Sequence, residues 1–368
     1  MNRANPAAGM TDAQTNAFRR RAIRRWLFAV AALIFVMVVI GGATRLTGSG
    51  LSIVEWQPVT GTIPPLSQAE WTTEFEKYQA IPQFRERNAG MSLDAFKTIY
   101  WWEWTHRALG RLIGVVFLLP FICFLWRGWI EPGLRAWLWT IFGLGALQGA
   151  VGWWMVKSGL AVRVSVAHER LAFHLTLACI IYAAVVWILR RLRDVEPLVV
   201  PARVRLGACA LLVLVLGQIF LGALVAGLGG GLVYNSWPLI DGTIVPSGER
   251  LMFLAPGWSN FFDNVLTVQF EHRMTAYALW LIAMAHLVDV MARRATVAFN
   301  GALMLAVAVT IQAGLGITTL VHQAPLALSL LHQAMAVVVL TVAVVHAERF
   351  VPGRQAEQIN PLPAASRP

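Results

Sequence analysis

Eight histidines stand in this chain, and four of them occupy matched positions, His106 and His168 in the first half, His272 and His332 in the second. An imidazole at membrane depth is costly without a partner. Two inward-facing imidazoles on neighbouring helices make a natural pair of axial ligands for one haem iron. The spacing predicts two such couples, His106 with His168 and His272 with His332, each in the first turn or two of its helix. One turn beyond each ligand stands a small residue (Gly110, Ala172, Ala276, Ala336), which leaves space for a flat macrocycle.

The other histidines read differently. His174 follows His168 by six residues, about 240° round a helix, so it is expected to face elsewhere in a structural role. His322 reads as a solvated loop residue. His286 and His346 each lie fourteen residues beyond a proposed ligand, about 21 Å at ~1.5 Å per residue, and read as interfacial.

Arg107 and Arg273 directly follow the first ligand of each half. Guanidinium groups there suit haem propionates as bidentate partners; interfacial snorkelling is the plainer alternative. Glu103 precedes His106 by three residues and shares its helix face. The corresponding residue in the second half is Gln269, which cannot ionise. A carboxylate beside one couple only predicts proton transfer or charge stabilisation there, against the alternative of a glutamate wetted at the bilayer surface. Gln148, Gln218 and Gln312 each stand four residues before a glycine (Gly152, Gly222, Gly316), which predicts interhelical hydrogen bonds around close-packed backbones.

The elements that must position these groups follow from composition. Of 368 residues, 57% are hydrophobic and 13% charged, and the mean hydropathy is +0.61. A soluble fold of this length has too little interior for that apolar surface. The apolar residues come in runs of about 20, the length that spans a bilayer as helix. Eight spans are predicted, near 26–44, 104–126, 134–156, 166–189, 206–228, 268–290, 299–320 and 327–347. The first is read as retained rather than cleaved, because no A-x-A pattern follows it. Cys123, Cys179 and Cys209 all fall inside apolar runs, which excludes a loop disulfide framework.

The net charge of +11 is a topology signal, not a nucleic-acid footprint. Eighteen of the 30 Lys and Arg residues fall on one face, mostly in short loops. The long loops 45–100 and 229–267 are sparse in them. By the positive-inside rule both termini are cytoplasmic and the long loops outside, with anionic membrane lipid as a contact of the basic face. Ends 1–17 and 351–368 are polar and expected to be mobile. Segment 66–98 is amphipathic, which predicts short helices on the membrane surface.

The halves repeat one another. Gly-Thr-Ile at 61–63 recurs at 242–244, Glu103-Trp104-Thr105-His106-Arg107 answers to Gln269-Phe270-Glu271-His272-Arg273, and Gln148 lies at the same offset from Gln312 as His168 from His332. Such repetition predicts an all-α integral membrane protein of two duplicated four-helix bundles, related by a pseudo-twofold along the membrane normal. The expected divisions are a cytoplasmic segment 1–25, a first half 26–189, a basic linker 190–205, a second half 206–348 and a tail 349–368.

These residues resemble the haem A synthase family over about 26–348. The resemblance rests on Gly41-Gly42-Ala43-Thr44-Arg45-Leu46-Thr47-Gly48-Ser49-Gly50-Leu51-Ser52, on Glu103-x-x-His106-Arg107, on Glu271-His272-Arg273, and on the spacing of His168 and His332. It implies eight helices, a haem b cofactor held by His272 and His332, and substrate haem O at His106 and His168. Glu103 maps onto the family's essential glutamate. The implied reaction oxidises one ring methyl of haem O to the formyl group of haem A, through successive hydroxylations and loss of water, with haem b as electron relay. Residues 45–100 lack the cysteine pair of some members, as in the proteobacterial and mitochondrial branch. A bacterial inner membrane is the expected location. Implied partners are an electron donor protein, haem O synthase and terminal oxidase assembly factors. The competing reading is a non-catalytic dihaem b-type cytochrome that transfers electrons only.

Overall fold

The structure, a computed structural model, describes residues 11–57, 60–161, 163–193 and 198–351. Residues 1–10 and 352–368 of the ends expected to be mobile, and part of the basic linker, lie outside the described residues; residues 12–17 are instead the first turns of the first helix. Among those described there is no β-strand, only one isolated antiparallel bridge between Ile240 and Thr243. The main helices are α1 (Asp12–Leu46), α2 (Gln68–Gln79), α3 (Pro82–Arg87), α4 (Leu93–Trp126), α5 (Pro132–Lys157), α6 (His168–Arg191), α7 (Ala202–Leu228), α8 (Val265–Ala292), α9 (Thr296–Val321) and α10 (Leu326–Glu348).

Seven of these, α1, α4, α6, α7, α8, α9 and α10, are long and apolar enough to cross a membrane. The chain is therefore an all-helical, multi-pass membrane protein. At 26 residues α5 matches α9 in length, but its four Trp and five Gly dilute its aliphatic content.

Helix ends follow local chemistry. Thr11 opens α1 with a capping box to Gln14. Gly229, at φ 67°, ends α7 in the left-handed conformation that glycine adopts without strain. The exposed carbonyls just before it accept from another helix: Arg45 Nη2 donates to Ala226 at 3.0 Å and Gly227 at 3.3 Å.

One buried cluster runs through the whole bundle, from Ile23 and Leu27 on α1 through Phe121 and Val185 to Leu340 and Val344 on α10. The helices of the two halves are thus packed as one body. Helix α6 lies against α7 and α10, and α1 against α10. Polar cross-links reinforce the seam: Gln333 Nε2 donates to the Val38 carbonyl at 2.8 Å, and Tyr182 and Thr341 share a hydrogen bond of 2.8 Å.

The amphipathic segment forms helices α2 and α3. Their apolar side is turned inward, however, not onto lipid. Tyr78 and Phe96 are fully buried, with Trp71, Phe75 and Phe84 packed around them. Aromatic edge-to-face packing against the loop end of α4 satisfies that face more completely than a membrane surface would.

Candidate functional site: four imidazoles on glycine seats

Each of four imidazoles rests edge-on against a glycine of the helix one span before it. A Cβ built on Gly41 would stand 3.0 Å from His106 Cε1; on Gly152, 3.0 Å from His174 Cε1; on Gly222, 3.0 Å from His272 Cε1; and on Gly316, 2.9 Å from His332 Cε1. Only glycine permits this approach without displacing the ring. The matched glutamines complete three of these seats. Gln148, Gln218 and Gln312 donate through Nε2 to the backbone carbonyls of His174, His272 and His332 at 3.0, 3.0 and 3.1 Å.

In the second half His272 and His332 lie within electrostatic reach of one another. In the first half it is His174 that interacts electrostatically with His106. His168 is the first residue of α6. Its Nε2 lies 3.0 Å from Asp263 Oδ1 and its Cβ packs on Gly227, so it joins the two halves. His174 is instead the seventh residue of α6, as His332 is of α10. The α5–α6 connection, 158–167, is six residues longer than the α9–α10 connection, 322–325, which gives His174 rather than His168 the helix position of His332. The signal that finds His174 is the Gln-x-x-x-Gly pair at 148–152, counted from the glycine rather than from the opposite half.

Glu103 is 2% exposed, not wetted. Its Oε2 accepts from Ser52 Oγ and Ile53 N, both at 2.8 Å, and its Oε1 from Arg107 Nη2 at 2.6 Å and Nε at 3.1 Å. All four lone-pair directions of the carboxylate are used. The Arg107 guanidinium also donates to the carbonyls of Ile53 at 2.7 Å and Glu55 at 2.9 Å. Arg107 is thereby committed to holding the long loop against α4. Arg273 and Gln269 hold the second loop alike, donating to the Tyr234 carbonyl at 3.0 and 2.9 Å, with Arg273 Nη1 reaching Leu239 at 3.1 Å. The halves differ where Glu103 is replaced by Gln269, whose Oε1 is buried without a partner. Arg107 Nε meets a carboxylate, whereas Arg273 Nε is buried without a partner.

Each couple presents two imidazoles, the number of axial positions that a porphyrin iron leaves open. Among the described residues no cluster of three or more His, Cys, Asp or Glu side chains could hold a metal ion. The buried, unpartnered Arg273 Nε suits an anionic group such as a propionate. A separate cavity of 430 Å³ lies between the long loop and α4, lined by Tyr100, Arg107 and Arg111 among others; it contains none of the four imidazoles.

Comparison with known proteins agrees with this geometry. Residues 24–344 match the family model described as cytochrome oxidase assembly protein. The heme A synthase of Rhodopseudomonas palustris strain BisA53 is 59% identical over 351 residues, covering 94% of this chain and 97% of that protein. That of strain HaA2 is 60% identical, covering 94% of each. That of Bradyrhizobium diazoefficiens is 58% identical, covering 95% of this chain and 97% of its own. With matched imidazoles on matched glycines and this likeness along nearly its full length, the chain belongs to the haem A synthase family of cytochrome oxidase assembly proteins.

Proposed function

We propose that this chain is a haem A synthase, a membrane oxidoreductase that takes haem O as substrate and releases haem A. The observation that carries the reading is the presence of two imidazole couples, each ring seated on a glycine. In the first half we assign the substrate couple to His106 and His174, in place of the His106–His168 couple that spacing suggested. In the second half His272 and His332 hold haem b, with Arg273 Nε directed to a propionate. Haem b supplies electron transfer when bound.

The chain's own residues position the substrate. His106 and His174 fix the ring plane of haem O between α4 and α6, and Gly41 and Gly152 set how deeply each imidazole sits. Glu103, one turn before His106, holds a carboxylate, ion-paired with Arg107, next to that couple. Its oxygens are filled by four donors, so it favours stabilising positive charge developing at the ring methyl over taking a proton. Arg107 holds the loop and keeps that carboxylate in place. The net change is oxidation of the methyl to a formyl group by successive hydroxylations and loss of water.

In the architecture we favour, α5 is the eighth span and the sets α1, α4, α5, α6 and α7 to α10 are duplicates about an axis along the membrane normal. Both termini are cytoplasmic and the histidine couples lie toward the periplasmic side of a bacterial inner membrane. Haem O synthase, oxidase assembly factors and an electron donor protein are the partners this activity calls for.

The test is pigment analysis. The purified full-length protein from cells that make haem O should carry haem B together with haem O or A. His174→Ala should abolish conversion while keeping the haem b bands. Recovery of haem B alone, with no haem A formed, would return the chain to the electron-carrier reading.

A further inference from the structure

The end of the bundle opposite the four imidazoles holds a second pair of histidines that the haem couples leave unused. His286 on α8 is 6% exposed and His346 on α10 is 2% exposed, so both are buried within the bundle. Their Nε2 atoms are 2.9 Å apart, and the rings meet edge-to-face with centroids 5.2 Å apart. Each ring is pressed through its Nδ1 edge onto a glycine of the preceding long helix, His286 on Gly207 of α7 and His346 on Gly301 of α9. These are the same helix pairings that seat His272 on Gly222 and His332 on Gly316, fourteen or fifteen residues away along each helix.

At the matched register in the first half stand Pro120, Ile188, Trp26 and Trp137. The arrangement is therefore particular to the second half and is not a by-product of repetition. A buried polar pair in an apolar setting is costly, and its presence in one half only calls for a use.

Geometry narrows the ligand. The two Nε2 atoms face one another, while glycine backbones cover both Nδ1 edges, so two nitrogens in opposition are on offer. Among the described residues no third His, Cys, Asp or Glu completes a cluster, which disfavours zinc with its four ligands. A haem is disfavoured too. The rings are already in hydrogen-bond contact, Phe350 packs against His346 with ring centroids 4.8 Å apart, and Val204, Ala208, Val290, Ala298 and Ala302 form a closed buried cluster at this end. By contrast, among the described residues no hydrogen bond joins His272 to His332 or His106 to His174.

We propose that His286 and His346 form a two-coordinate site for a monovalent d10 cation, Cu(I), at the end of the second half remote from the haem couples. Imidazole is a good copper ligand, and linear two-nitrogen coordination needs no water or third donor in this apolar surround. Metal–nitrogen bonds of ~2.0 Å put the two Nε2 atoms about 4 Å apart, so the rings part by about 1 Å on binding. Charge and protons balance without loss from the site. The one proton between the Nε2 atoms moves to Nδ1 of its own ring, both rings stay neutral, and the cation carries its single charge.

The experiment is anaerobic titration of the purified, haem-loaded, full-length protein with Cu(I) against the colorimetric chelator bicinchoninate, followed by X-ray absorption at the copper edge. The wild type should retain one equivalent of Cu(I) with two nitrogen scatterers. His286→Gln and His346→Gln should each lose that equivalent, with haem spectra unchanged as the check on folding, and His322→Gln should keep it. Uptake unaffected by the variants, no retained copper, or three or four scatterers in the wild type would overturn the proposal; so would pigment analysis placing a third haem at this pair. The wild-type absorption reading stands even if a variant fails to fold. None of these outcomes depends on haem A formation, so the site and the synthase reading fail separately.

Discussion

The indole N–H of Trp26 on α1 donates to the backbone carbonyl of Val116 on α4 at 2.8 Å. That carbonyl lies four residues before Pro120, which sits inside α4 and has no N–H to return to it. One helix thus supplies the donor that a proline removes from its neighbour. Phe117 and Phe121 pack on the same indole, with ring centroids 5.1 and 6.5 Å away, so the bond is held by the aromatic packing around it.

Trp26→Phe keeps most of that packing but leaves a buried carbonyl without a donor. It should cost about 1–2 kcal/mol, read as a lower midpoint in thermal unfolding in detergent. Pro120→Ala restores the helical N–H, so the double variant should recover much of the loss. Simple addition of the two effects would show that the indole serves packing alone.

His174 and His168 make opposite predictions. Gly152→Val intrudes on His174 and should weaken haem O binding by about tenfold or more, about 1.4 kcal/mol, with the haem b signal retained. His168→Ala breaks a half-exposed contact with Asp263 and should change stability by at most about 1 kcal/mol. Low-spin bis-imidazole signals in electron paramagnetic resonance, with one species lost in the first variant and both kept in the second, are the measurement. Loss of the substrate signal in His168→Ala would reverse the assignment.

Glu103→Gln exchanges an acceptor oxygen for an NH2 group facing either Arg107 or the Ser52–Ile53 donors. The haem b spectrum should survive while haem A production stalls. The loop that Glu103 fastens should also become more open to limited proteolysis near residues 52–57. Full haem A output from this variant would remove the carboxylate from the mechanism.

Outside the spans, the backbone N–H groups of Leu66 and Ser67 hold the Glu70 carboxyl below its usual range. A carboxyl lowered in the folded state stabilises it above the unfolded carboxylate range, and that contribution fades as pH falls through the folded value. The first turn of α2 should therefore lose amide protection, relative to the intrinsic exchange rate, in acid. In Glu70→Gln that acid sensitivity should disappear, as hydrogen exchange would show.

Much of this protein is fixed by patterns that act along a single helix. Runs of about 20 apolar residues need a bilayer to be stable, so the sequence alone establishes an all-helical membrane protein, and the motifs around Glu103, His106 and His272 declare its family. Only the tertiary structure decided which imidazole of α6 takes the helix position that His332 holds on α10. A six-residue difference in one loop gives that position to His174 instead of His168, and no helical periodicity encodes a loop's path. It also decided that Glu103 and Arg107 fasten the long loop to α4, and that His286 and His346 meet. Those contacts are properties of two packed surfaces, which neither stretch of sequence contains alone.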